Sequence, residues 1–286
     1  MILRIWRLIK IELFKLSRQR FTYIAVFIII LTVLGTIFLT KSETAVNSFT
    51  LLSRALLNGL RIAALFILII GCLSIASETT SGTIKTILIS PIRRSELFLA
   101  KAVTLIITAV LITLLIELVS YTAVWLGFGF FDITDPTIKD YIHLQKSEML
   151  RYTLYTFIMV FLPVVSIAFF GLFISSLVEN AGIAVAVGIL FYLFIDYFII
   201  GLLPQFAPYI FSYYLDYFPK TLADLSEGIL GQMWKFTGID YILGIKPQGD
   251  EIVDYLSLVK TRIVPLGYVI IFIVVGLMAV RKKDII

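Results

Sequence analysis

The sequence predicts an all-α polytopic membrane protein, with six transmembrane helices and an interfacial helix ahead of the first. Three observations predict it. The chain of 286 residues is 60% hydrophobic, with a mean hydropathy of +1.01. Only 15% of its residues are charged, against about 25% in a soluble domain. Its apolar residues gather in long runs, and a run of about 18 or more reads as a membrane span.

The elements follow in order. Residues 1–20 hold six Lys/Arg and one acid, Glu12. Ile2, Ile5, Trp6, Ile9, Leu13 and Leu16 recur at helical spacing, while Arg4, Arg7, Lys10, Lys15 and Arg18 fill much of the rest. Such a basic amphipathic helix suits the interface plane, cations toward anionic headgroups. The run from Phe21 to Leu39 is followed by Lys41-Ser-Glu43. It is longer than the apolar core of a signal peptide, so a retained first span is expected. The other spans are expected near 60–77, 101–127, 152–177, 181–203 and 263–280. Arg61 is then expected to snorkel from the outer end of the second, and Pro163 to kink the fourth.

Six spans put both termini on one side, and the positive-inside rule chooses it. Lys/Arg crowd the first 20 residues, the 78–101 stretch (Lys85, Arg93, Arg94, Lys101) and the C-terminal tail (Arg281, Lys282, Lys283). The loops 40–59, 128–151 and 204–262 are longer and carry most of the acids. Both termini, the 78–96 loop and the short turn around 177–182 are therefore expected to be cytoplasmic. The net charge of +5 speaks for topology, not for nucleic acid.

The polar stretch Glu78–Glu96 has internal design. Ser81 can cap a short helix. Ile84, Ile87 and Leu88 share one face of it, and Pro91 ends it. It is either an ordinary capped turn or a flat surface helix shaped for a soluble partner. The 204–262 loop is dense in aromatics, including Phe206, Tyr209, Phe211, Tyr214 and Trp234. Either part of it dips into the outer leaflet as short helices, or it folds as a small extracellular cap.

Several chemistries are excluded. No phosphate-binding G-x-x-x-x-G-K-[ST] loop, His-Glu-x-x-His or Gly-x-Ser-x-Gly elbow occurs. The lone Cys72 cannot form an internal disulfide, and the lone His143 offers no metal cluster. Two acids lie inside expected spans, Glu117 and Asp196. Each either meets substrate or a proton relay, or is a hydrogen-bonded acid holding helices together.

These features together resemble a type-2 ABC transporter permease. Glu78, Gly82-Thr83, the Ile/Leu helix, Pro91, Arg93 and Lys101 look like that family's E-x-x-x-G-T…P-x-x-R…K signature. The resemblance implies one permease domain over 1–286: an elbow helix at 1–20 (Trp6, Ile9, Leu13), a cytoplasmic coupling loop at 78–96, and re-entrant outer helices within 204–262. It implies a half-transporter that pairs with a second copy or a paralogue. Two separate ATPase subunits would dock on the 81–89 coupling helix, through Gly82, Thr83, Ile84, Lys85, Thr86, Ile87, Leu88 and Pro91. Arg93 and Arg94 would pair with ATPase acids or anchor the third span; Glu78 would cap or salt-bridge the segment. No cofactor is expected on this chain; ATP and Mg would sit on the partner.

Drugs, antibiotics, peptides, lipids and polysaccharides are cargoes in that family. The absence of cysteines from the outer loop points to a prokaryotic plasma-membrane member. The alternatives are an ion-gradient-driven secondary transporter using Glu117 or Asp196, and a non-transporting ABC-like scaffold.

Overall fold

The computed structural model describes residues 2–41, 48–82, 94–129, 149–216, 219 and 255–282. Among them the chain is 93% helical, with no strand. The helices are α1 (Ile2–Arg18), α2 (Arg20–Lys41), α3 (Ser48–Thr80), α4 (Arg94–Phe128), α5 (Met149–Leu177), α6 (Ala181–Phe194) and α7 (Tyr255–Lys282). Six of them, α2 to α7, are long and apolar enough to cross a membrane, and the protein is a multi-pass membrane protein.

The helix breaks have local causes. Gln19 interrupts α1 and α2 by a tight turn, where its amide donates to Leu16 O and Thr22 Oγ1 donates to the same carbonyl. α3 ends where Gly82 takes φ +69°, a left-handed conformation that glycine adopts freely. Asn180 caps α6, its side chain accepting from the Ile183 amide. α6 then passes into a π-helical segment, Ile195–Ile200.

Burial places α3 and α5 at the centre. Of their most apolar windows 61% and 72% are buried, against 17–22% for α2, α6 and α7. The two central helices cross at glycines. A Cβ built on Gly71 would lie 2.5 Å from Ala168 O, and one on Gly171 2.5 Å from Leu68 O. Small residues let backbones approach this closely, which is how helices associate in lipid. One turn further, Ser175 Oγ accepts from the amides of Ile75 and Ala76 at 2.9 and 2.8 Å.

α7 packs along α5, and both contain a proline, Pro265 and Pro163. Polar side chains serve the main chain there. Ser166 donates to Pro265 O, and Arg262 donates to Ile158 O. After α6 the chain turns back onto this pair: a 3-10 turn, Ala207–Tyr209, leads to Phe211. The Phe211 ring sits 5.1–5.7 Å from those of Phe170, Tyr268 and Phe272.

The number of spans agrees with the sequence reading; several limits do not. α3 starts at Ser48, so much of the expected outer loop 40–59 is helix. Ser53, Arg54 and Asn58 interrupt the apolar run and hide the buried stripe of Leu52, Ala55, Leu56 and Leu60. α4 likewise begins at Arg94, and α7 begins at Tyr255, inside the stretch expected as outer loop.

Candidate functional site

Four charged side chains meet where α1, the end of α3 and the start of α4 converge. Glu78, on the last turn of α3, is 3% exposed; Lys101, on the second turn of α4, is 1% exposed. Lys101 Nζ lies 2.8 Å from Glu78 Oε1 and 3.1 Å from Glu12 Oε1. Lys15 Nζ lies 2.7 Å from the same Glu78 oxygen. Glu12 and Lys15 both come from α1, which packs against α4 and buries Ile9.

Burial decides how much each contact matters. Lys101 and Glu78 are out of water, so removing either strands a buried charge, a loss of about 3–5 kcal/mol. The Lys15 side chain is 42% exposed, and a solvent-screened pair of that kind is worth roughly 0–1 kcal/mol. The Lys101–Glu78 bond is the stronger tie.

A second tie closes the same end of the bundle. Thr80 Oγ1 shares its one proton between Ala76 O on its own helix, at 2.8 Å, and Glu179 O, at 3.0 Å, and accepts from the Ala181 amide at 2.9 Å. It fastens the end of α3 to the tight turn between α5 and α6. That end therefore joins α1, α3, α4 and the 178–180 turn through two small polar clusters.

The sequence-expected residues fall as follows. Glu78 is in an ion-paired cluster, with Lys101 and Lys15 among its partners. Gly82 closes α3. Thr83, Ile84, Lys85, Thr86, Ile87, Leu88, Pro91 and Arg93 lie outside the described residues, and with them the helix expected at 81–89. Arg94 opens α4. Ser81, expected to cap that helix, has its hydroxyl against Ser77 O and Glu78 O at the end of α3. On α1, Ile9 is buried, Leu13 half-buried and Trp6 exposed, with Lys10 over its ring.

Of the two acids within spans, Glu117 is buried, and neither carboxyl oxygen has a hydrogen-bond partner among the described residues. Asp196 lies in the first turn of the π-helical segment and sits within electrostatic reach of Arg61 and Asp216. Arg61 has a partner that the sequence did not point to. Its helix starts 13 residues earlier, at Ser48, and its guanidinium binds Asp216 at 2.6–2.7 Å. Asp216 belongs to the segment that turns back after α6, and no pattern along one span could pair residues 155 positions apart.

The pairing of Glu78 with Lys15 and Lys101, and of Lys101 with Glu12, was missed. One signal was present: Glu12 is the lone acid among the first 20 residues, on a helix whose other charges are all cationic. Among the described residues no group of three or more His, Cys, Asp or Glu could hold a metal.

A search of the curated proteins finds no match. The family model described as ABC-2 family transporter protein matches residues 8–195, well over half the chain. The charge cluster at Glu78 and Lys101 lies within this match, and the chain belongs to that family: it is a type-2 ABC transporter permease, a membrane transport subunit.

Proposed function

We propose that this chain is the permease subunit of an ATP-driven exporter in a prokaryotic plasma membrane, working as a dimer with both termini cytoplasmic. Two separate ATPase subunits bind ATP and Mg and dock on the segment around 81–89. The observation that carries the reading is the pairing of Glu78 with Lys101. These residues flank the 83–93 segment, so a push delivered there enters α3 and α4 together and reaches α1 through Glu12 and Lys15. Basic α1 lies at the same end, as the positive-inside rule expects of a cytoplasmic face.

The weakly buried α2, α6 and α7 leave apolar surface for lipid and for a second copy. Arg61, Asp196 and Asp216 sit on α3, at the end of α6 and on the returning segment. Arg61 and Asp196 fall within candidate spans, and charges there face a bundle interior, an aqueous cavity or a partner. They fit a polar lining of the pathway between copies, with the returning segment as a re-entrant outer element.

The test is the double variant Ile84→Asp/Leu88→Asp. In proteoliposomes with its companion ATPase, the variant should keep assembled spans and lose the stimulation of ATP hydrolysis by transport. Coupling that survives both substitutions would remove the 81–89 segment from the role. The purified chain alone should hydrolyse no ATP.

A further inference from the structure

A cavity of about 340 Å³ opens between the α1–α2 turn, α3 and α4. Its volume is on the order of ten waters, far more than an isolated ion needs. Its lining has two characters. Lys15, Gln19 and Arg20 stand at the turn between the interfacial helix and the first span, while Phe21, Leu73 and Leu105 form an apolar wall. Lys101 and Glu12 also border it.

The charges around it do not cancel. Among the described residues, three cations of its lining, Lys15, Arg20 and Lys101, stand with two carboxylates, Glu12 of the lining and Glu78 behind it, an excess of one positive charge. Lys101 is held between Glu12 and Glu78, and Lys15 is on Glu78. Arg20 is exposed and has no acid partner among the described residues. The uncompensated cation therefore sits at the turn, beside the side-chain amide of Gln19. Arginine presents a planar fork of donors suited to a phosphate.

The apolar wall continues along the membrane-crossing direction. Ile24 and Leu31 lie on the same side of α2 as Phe21 by helical spacing, and both are more than half exposed. A ligand that satisfies the whole site has an anionic phosphate at one end and a hydrocarbon chain at the other.

We infer that this cavity binds an anionic glycerophospholipid of the leaflet on which α1 lies. Its phosphate is held by Arg20, Gln19 and the free side of Lys15, and the first part of an acyl chain lies against Phe21, Leu73 and Leu105. Anionic lipid is favoured over zwitterionic by the net positive charge. The site does not depend on the exporter reading, because it needs neither ATP nor cargo.

The test is native mass spectrometry of the full chain purified in detergent, with phosphatidylglycerol, phosphatidylcholine or inorganic phosphate added. Phosphatidylglycerol should be retained at least tenfold more strongly than phosphatidylcholine, and inorganic phosphate should not displace it. Arg20→Gln should reduce retention about tenfold, while Arg18→Gln, which removes the same charge outside the cavity, should not. Leu73→Trp keeps every charge and fills the cavity, so it too should abolish retention, with size-exclusion elution confirming the fold. Equal retention of the two lipids, equal effects of Arg18→Gln and Arg20→Gln, or displacement by inorganic phosphate would each overturn the lipid site. Unchanged retention in Leu73→Trp would do the same.

Discussion

Lys101 Nζ reaches Glu78 Oε1 at 2.8 Å, with both side chains almost wholly buried, across the gap where 83–93 leaves one helix and enters the next. A buried pair loses most when one partner is removed. Lys101→Ala is therefore expected to cost about 3 kcal/mol or more in thermal or denaturant unfolding of the detergent-solubilised chain. Lys15→Ala, on the same carboxylate but 42% exposed, should cost no more than about 1 kcal/mol. Equal costs would mean that burial does not rank these contacts, and the hub would lose its centre.

The crossing of α3 and α5 makes a different demand. Gly71 and Gly171 each lie so close to the opposite main chain that an added methyl group would overlap a carbonyl oxygen at 2.5 Å. Backbone cannot move aside as a flexible side chain can, so the helices must separate. Gly71→Ala should destabilise by roughly 1–3 kcal/mol, the usual range for overpacking. Gly35→Ala, where a Cβ meets nothing within 4 Å, should have little effect or a mildly favourable one. The comparison is a pair of melting curves; similar shifts would show that the crossing is looser than its geometry.

The spans were legible because the bilayer imposes one simple rule, a long apolar run, and each of the six satisfies it. The limits were less legible because helices extend past the hydrocarbon. Arg54 and Asn58 look like loop residues in one dimension and are the polar side of α3 in three. Glu78 could be singled out from its place beside a turn and its fit to a family signature. Its partners could not, because Lys15 and Lys101 lie 63 and 23 residues away. The Arg61–Asp216 pair was beyond sequence reasoning for the same reason, since it exists only because the chain turns back after α6. Phe211 is the counterpart among apolar residues: its aromatic neighbours were visible in composition, their meeting point was not.

Glu117 allows a test of two readings of an intramembrane acid. It shares a buried face of α4 with Thr113 and Ser120, and its two oxygens have no hydrogen-bond partner among the described residues. A buried polar group left unsatisfied costs about 1–3 kcal/mol. Glu117→Leu is expected to be neutral or to stabilise by up to that amount, and Glu117→Gln to leave transport unchanged. Loss of transport in Glu117→Gln at unchanged stability would instead assign the carboxyl a part in moving substrate or protons.

Thr80 offers a way to separate stability from coupling. Its hydroxyl makes two hydrogen bonds to the turn between α5 and α6, one donated and one accepted, and the residue is exposed. Thr80→Val keeps the shape and removes both. Because water can replace the lost partners at an exposed site, the stability cost should stay near 1 kcal/mol. If motion at the 83–93 segment reaches α6 through this contact, the stimulation of ATP hydrolysis by cargo should fall severalfold in the same variant. Thr80→Ser retains the hydroxyl and should restore most of it. A Thr80→Val protein that couples like the parent would show that the turn is carried along by Ser175 and the α3–α5 crossing alone.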